Sequence, residues 1–461
     1  MIKLSVLMPA FTKPVSNGLI AAAAILLCLL IMHLSPWPTT SNQAYLETIP
    51  TRSMTYRKHF ISKHIWNVQS RVDWKPCEWW TAKPLTGFPQ KSTGYIKVDC
   101  YGGLNQMRRD LCDGVDIARL LNATLVLPDF EAASYWNDTS GFADIFDVDY
   151  FIQRTKDFVH VVKELPKELA SKKPVRVDCR KQKGHFDYIE SVLPSLTKHQ
   201  YIVITPAASQ TPDRHPVFAK AARCHVCFKA LRLVPAIQKM GAELLQKIPQ
   251  PILSLHMRFE PDMIAYSRCQ YNDLSQSSLD AINSARNGRT IISGDAAVTW
   301  RKRGKCPLTP RETAFILQAL GIPTNTTVYL AAGESLLESK DFTSIYRNSY
   351  TKSSLLDKAS LMAMRGNSRA ALDYYVSINS DAYIGTYFGN MDKMVAAMRA
   401  LNGQSKTLFL NRRAFAEAIL KGLEGEKLAE YLWETHSKAL VDGRGSALPD
   451  CFCMSNLTNS S

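Results

Sequence analysis

The chain has 461 residues, 46% of them hydrophobic and 21% charged, so it is too long for one small domain and apolar enough to bury a sizeable core. That balance excludes a coiled coil or a disordered chain. Lys and Arg number 56 against 41 Asp and Glu, and the resulting +15 favours anionic partners such as phosphates or uronate sugars.

The first element is an apolar run, residues 18–34, with no charged side chain other than His33 and with Lys3 and Lys13 before it. It reads as a transmembrane signal anchor following a cytosolic tail of residues 1–17. No small-x-small cleavage site follows, which favours an anchor over a cleaved signal peptide, and the positive charge before the span puts the remainder in the lumen. Residues 35–75 are polar, basic and without a sustained period, as expected of a lumenal stem with little order. Glycosylation sequons begin at Asn122, Asn137, Asn325, Asn456 and Asn459. Of 11 cysteines only Cys28 lies in the span, which leaves an even set for an oxidising compartment and allows up to five disulfides. The short spacings Cys224 to Cys227 and Cys451 to Cys453 are also compatible with zinc, but no second pair or His pair at finger spacing accompanies them, so disulfides are expected.

From Trp74 onward, short apolar runs alternate with helical patterns, the signature of an α/β architecture. Tyr95 to Cys100 reads as a strand, Gly102 and Gly103 as a turn, and Leu104, Met107, Leu111, Val115 and Ala118 as one face of a helix, with another strand from Ala123 to Leu127. Such a turn lets backbone approach a ligand closely and aims helix amides at it, although many turns of this kind bind nothing. Asp147 and Asp149 have the spacing to hold a divalent metal, yet nothing nearby completes an oxygen-rich set, and metal is left out of the expected mechanism.

Ile237 to Ile248 is helical, stopped by Pro249 and Pro251, and Ile252 to Met257 starts a strand. Alternation places Ser254, His256 and Arg258 on one side of it. At a strand end a guanidinium can grip a diphosphate through two parallel hydrogen bonds; equally, Arg258 can be a structural cation paired with Glu260 or Asp262. Thr309, Pro310 and Glu312 form a capping-box helix start, with strands expected at Thr327 to Ala331 and Ala382 to Gly385. A glycine-containing turn, Thr386 to Asn390, then offers a second phosphate cradle before a helix capped by Asn390.

Several segments together resemble the plant O-fucosyltransferase family, which also holds the rhamnogalacturonan I rhamnosyltransferases. They are Gly102 to Arg108, Ala118 to Thr124, Trp136 to Asp138, Asp144 to Asp149, His256 to Met263, Cys306 to Pro310, Tyr329 to Glu334, and Ala371 to Asp373 leading to Gly389 and Asn390. The resemblance covers most of residues 74–453. It implies a GT-B-like α/β fold: two Rossmann-like domains facing a cleft, an acceptor-side domain at 76–235 and a nucleotide-sugar-side domain at 236–440, with a C-terminal tail at 441–461. It also implies a Golgi membrane protein of single-pass type II topology and an inverting, metal-independent transfer with no cofactor. By the same likeness Gly102, Gly103, Asn105, Gln106, Arg108, His256 and Arg258 border the donor diphosphate, with Asp373 near the nucleoside and Thr386, Gly389 and Asn390 near the phosphates. Arg258 is the expected catalytic cation, and Asp262 the candidate base, although Asp262 and Glu260 both lie where they can orient Arg258 instead.

The expected partners are a nucleotide sugar and a protein or polysaccharide acceptor, and no nucleic acid. The leading expectation is fucose transfer from GDP-fucose. The alternatives are a UDP-rhamnose-dependent rhamnosyltransferase acting on acidic pectin, and a non-catalytic Golgi protein that binds glycans or serves as a scaffold. The chain departs from the family pattern in two places: the segment between Cys269 and Cys306 is short, and Asp99, Cys100 and Tyr101 precede the glycines.

Overall fold

The computed structural model describes residues 64–81, 91–130, 138–179, 186–206, 215–442, 448 and 450–456. In chain order its strands are β1 (Val72–Pro76), β2 (Tyr95–Val98), β3 (Thr124–Val126), β4 (Val161–Val162), β5 (Val175–Asp178), β6 (Tyr201–Thr205), β7 (Ile252–His256), β8 (Thr327–Ala331), β9 (Ser349–Tyr350), β10 (Ala382–Gly385), β11 (Thr407–Phe409) and β12 (Phe452–Asn456). They form two five-stranded sheets, ordered β4-β3-β2-β6-β5 and β11-β10-β7-β8-β9, and a two-stranded sheet of β1 and β12. Among the described residues every strand pairing within the two larger sheets is parallel. Such strands are covered on both faces, so β6, β7 and β10 are buried at every position, as near-continuous apolar runs require.

The expected strands at Thr327 to Ala331 and Ala382 to Gly385 form with those bounds, and the Thr309 hydroxyl accepts the Glu312 amide at 3.1 Å while Glu312 Oε2 accepts the Thr309 amide at 2.9 Å. The Leu104–Leu120 helix buries Met107, Leu111, Val115 and Ala118 completely. At Gly114 it presses so closely on β2 that a Cβ would overlap Val98 Cγ2. Gly114→Ala is therefore expected to destabilise the fold by about 1–3 kcal/mol through overpacking, readable as a lowered denaturation midpoint.

Two expectations need correction. Residues 64–75 are ordered: Ile65 is buried and its amide donates to the Leu320 carbonyl at 3.0 Å, and β1 pairs antiparallel with β12 from Val72 opposite Asn456 to Pro76 opposite Phe452. The apolar side chains in this polar stretch pay for its ordering by packing. For the same reason Phe452–Asn456 is a strand and not tail. The cysteines form disulfides, as expected over zinc, in a pairing the sequence left open. The described residues hold four disulfides, Cys77–Cys453, Cys112–Cys227, Cys224–Cys451 and Cys269–Cys306, while Cys100 and Cys179 remain buried thiols. Both short-spaced cysteine pairs thus bond to partners far away in sequence.

The expected span at 18–34 lies outside the described residues; among those described, no helix is long and apolar enough to cross a membrane. The sheets share one apolar cluster that runs from Ile96 and Met107 to Tyr374, Tyr383 and Val395. Polar links cross between them as well: the Asn367 amide donates to Asp138, and Arg365 Nη1 reaches the Thr139 carbonyl at 3.2 Å.

Candidate active site

β2 lies at the centre of its sheet, and the chain leaving it turns through Gly102 at φ +89° into the Leu104–Leu120 helix. A side chain at Gly102 would be strained at that φ and would also lie 2.7 Å from Gln106 Oε1. The N-cap residue is Gly103, so no side chain caps the first turn and its amides are left for another acceptor. Asn105 is buried and Gln106 half-buried just inside the helix.

The central strand of the other sheet, β7, delivers His256 and Arg258. The Arg258 amide donates to Thr386 Oγ1 at 3.3 Å, and the Thr386 amide donates to the His256 carbonyl at 3.1 Å, which fastens the ends of β7 and β10 together. Beneath them lies Asp392, fully buried at 0% exposure. Its Oδ1 takes hydrogen bonds from His256 Nδ1 and Tyr383 Oη, both at 2.7 Å, and its Oδ2 takes the Gly389 amide at 2.6 Å. Gly389 is therefore the N-cap of the Asn390–Leu401 helix, with Asp392 serving as its acceptor, and Asn390 is the first helical residue and not the cap.

Burial opposes charging His256, but the Asp392 charge and hydrogen bond, with Glu260 beyond, outweigh it and raise the imidazole above its usual 6.5. Burial likewise opposes ionising Asp392, and His256 more than compensates, holding the carboxyl below its usual 3.8. A raised histidine value stabilises the fold fully below the unfolded-state pKa, and that contribution fades as pH climbs through the folded value, which here lies above 6.5. The difference in Tm between the unmodified chain and His256→Gln is accordingly expected to shrink as pH rises from below 6.5 into the alkaline range, a comparison thermal melts at several pH values would check.

The Arg258 side chain is 25% exposed and held from two sides. Nη1 lies 2.8 Å from Glu260 Oε2, an ion contact outside hydrogen-bonding geometry, and Nη2 donates to Asp262 Oδ2 at 3.2 Å. Glu260 is anchored in turn, since its Oε1 accepts the Gly333 amide at 3.0 Å. Asp262 is the more exposed carboxylate and pairs with Arg258.

The structure places some expected ligand contacts elsewhere. Arg108 is only 3% exposed: Nη2 donates to the Cys227 carbonyl at 2.6 Å and the guanidinium stacks 5.0 Å over Tyr374. It braces the junction of the two sheets and does not reach outward to a diphosphate. The neighbouring Arg109 comes closer to the expected role, its Nη1 lying 3.5 Å from Asn390 Oδ1, so that the helix after the first glycine turn meets the start of the helix after the second. Asp373 is buried, accepting from Tyr329 Oη and Lys352 Nζ, each at 2.7 Å; burial raises its pKa in spite of Lys352. Lys352, which the sequence did not single out, also donates to the Ala332 carbonyl at 2.5 Å and so fixes the chain leaving β8. Asp147 caps the Val148–Thr155 helix through the Tyr150 amide at 3.0 Å and pairs with Arg232 at 2.6 Å, while Asp149 pairs with Lys163 at 2.8 Å.

Two glycine-led helix starts, one of them without a side-chain cap, a fastened strand end and a part-exposed guanidinium, set on parallel sheets, equip a protein to hold the diphosphate of an activated sugar, and the class they define is a glycosyltransferase. The family model described as GDP-fucose protein O-fucosyltransferase matches residues 95–402, and the chain belongs to that family. O-fucosyltransferase 13 of Arabidopsis thaliana is 60% identical over 392 residues, covering 85% of this chain and 89% of that protein. Rhamnogalacturonan I rhamnosyltransferase 1 of Arabidopsis thaliana is 36% identical over 373 residues, covering 75% and 72%. A crystal structure of POFUT1 in complex with GDP overlaps with a TM-score of 0.43 at 14% identity, over 70% of this chain and 99% of that one.

Proposed function

We propose that the chain transfers fucose from GDP-fucose to a hydroxyl of a protein or cell-wall glycan, by inversion and without a metal or cofactor, across a GT-B cleft between residues 76–235 and 236–440. The observation that carries this reading is Arg258, part-exposed at the end of the central strand β7, with its backbone tied to Thr386. As the bond from the sugar to the diphosphate breaks, the electron pair leaves with GDP, and Arg258 together with the first-turn amides after Gly103 and Gly389 neutralises the charge that develops. The donor diphosphate competes with Asp262 for the guanidinium. Once displaced, the Asp262 carboxylate is free to take the proton from the attacking acceptor hydroxyl. His256, whose pKa burial lowers but Asp392 raises beyond that, is poised beneath the same turn, where its protonated form adds positive potential.

We place the chain in the Golgi membrane as a single-pass type II protein with the described residues in the lumen. The apolar run at 18–34 supports this, as do the four disulfides, which persist in oxidising compartments. The exposed sequon residue Asn325 agrees with a lumenal setting.

A donor panel with the purified full chain tests the activity. Fucose release from GDP-fucose, with no rhamnose release from UDP-rhamnose, is the expected result. Turnover of UDP-rhamnose alone would assign the protein to the other branch of the family, and turnover of neither donor under conditions that retain the fold would favour a non-catalytic role.

A further inference from the structure

The second turn of the Leu104–Leu120 helix carries two adjacent charges whose hydrogen bonding is incomplete. Asp110 is buried, its side chain 6% exposed, and Oδ2 has no partner among the described residues. Oδ1 lies 3.5 Å from Arg109 Nη2, at the outer edge of hydrogen-bonding distance. The Tyr101 amide also donates to the carboxylate and so ties the chain just before Gly102 to the helix. Arg109 is loosely held in its turn. Nη1 stands 3.5 Å from Asn390 Oδ1, and the buried Nε has no partner among the described residues. Its guanidinium therefore lies between Asp110 and the start of the Asn390–Leu401 helix.

Burial lifts the Asp110 carboxyl to about 7; Arg109 works against that rise, Asp113 adds to it, and the Tyr101 amide opposes it. The other charged neighbours are engaged elsewhere. Asp113 accepts Arg223 Nε at 2.7 Å from the Val217–His225 helix, and Asp99, at the end of β2, is paired with Arg176 at 2.9 Å. The buried Cys100 thiol is pushed well up, by burial first and then by Asp110, which keeps it neutral. Arg109 is the cation that Asp110 touches.

An anion docking at the Gly103 and Gly389 helix starts acts on both members of this pair. It draws the guanidinium, whose planar fork fits phosphate oxygens, away from Asp110. Its own charge also repels a buried carboxylate that has one oxygen unpaired. We propose that Arg109 swings from Asp110 onto the donor diphosphate, and that Asp110, left without its counter-charge, takes up a proton as the donor docks. The proton comes from solvent and bonds to Oδ2, leaving a neutral carboxyl, and it returns to solvent when the nucleoside diphosphate departs. Asp110 is a positioning residue, since it acts through Arg109 and touches no reacting atom. The proposal rests on the transferase reading above and adds a proton linkage to its donor site.

The test is GDP binding by the full chain across a range of pH, for the unmodified protein, Asp110→Asn and Arg109→Gln. Proton uptake makes affinity fall as pH climbs through the Asp110 value, whereas an amide does not titrate. The ratio of Kd for the unmodified chain to Kd for Asp110→Asn is therefore expected to rise about fivefold to tenfold between about pH 6 and about pH 8. Taking the ratio cancels the titration of GDP itself. Arg109→Gln is expected to weaken GDP about tenfold or more. A ratio that stays flat would overturn the proposal, because a merely structural Asp110 shifts affinity alike at every pH. Unweakened GDP binding by Arg109→Gln would overturn it too. Thermal melts establish which variants fold. Should Asp110→Asn fail to fold, calorimetric titration of the unmodified chain with GDP at about pH 8, in two buffers of different ionisation enthalpy, decides the matter: net proton uptake upholds the linkage, and none or net release overturns it. If the folded, unmodified chain binds no GDP at any pH, the transferase reading fails and the linkage with it; if GDP binds and the ratio is flat, only the linkage fails.

Discussion

Arg258→Lys is expected to lower kcat/KM about 10²- to 10³-fold with little change in Tm, the loss typical when one preorganised donor to a developing anion is removed. Lysine keeps a positive charge between Glu260 and Asp262, so neither carboxylate is stranded, yet it lacks the planar fork that spans two diphosphate oxygens. Arg258→Ala is the harsher change. It also strips the buried Glu260 of its counter-charge, although the Gly333 amide remains bonded to Oε1. The lysine variant therefore separates chemistry from folding, and donor-consumption kinetics beside a thermal melt would read both. Full turnover in a folded lysine variant would reject the assignment of the leaving-group site to Arg258.

Where physics is local, the sequence displayed it. Thr309 and Glu312 sit at capping-box spacing, and the five residues of β8 and the four of β10 are bounded by turn residues, so these elements form where pattern alone puts them. Arg108 was readable in principle and misassigned. It shares a helical stripe with Leu111 and Val115, three and seven residues on, and both are buried, so the helix geometry turns it inward. Asp392 had a signal as well, an acidic residue at the third helical position, which the more familiar Asn390 obscured. Nothing local announces the pairing of β1 with β12, the partner choice of each cysteine, or the meeting of Lys352 with Asp373, because each contact is decided by how distant segments pack.

Asp392→Ala is expected to destabilise the protein by about 3–5 kcal/mol, the range for removing one member of a buried ion pair and leaving the other charge uncompensated. Three donors lose their acceptor at once: His256 Nδ1, the Tyr383 hydroxyl and the Gly389 amide. Gly385 belongs to the same arrangement, since a Cβ there would collide with Asp392 Oδ1. A strand residue without a side chain is what lets the carboxylate tuck under the turn. Asp392→Asn keeps the volume and an acceptor but removes the charge, so it is expected to lose less, about 1–3 kcal/mol. In that variant only the more distant Glu260 charge still offsets the burial of a charged His256, so its pKa should fall, and the stabilisation it adds at low pH should shrink. Denaturant melts of both variants, with histidine titration followed by NMR, would measure the two effects separately. If the asparagine variant matched the unmodified chain in stability and in histidine titration, the charge on Asp392 would not be what holds the Thr386 to Asn390 turn, and the positive potential ascribed to His256 would need another source.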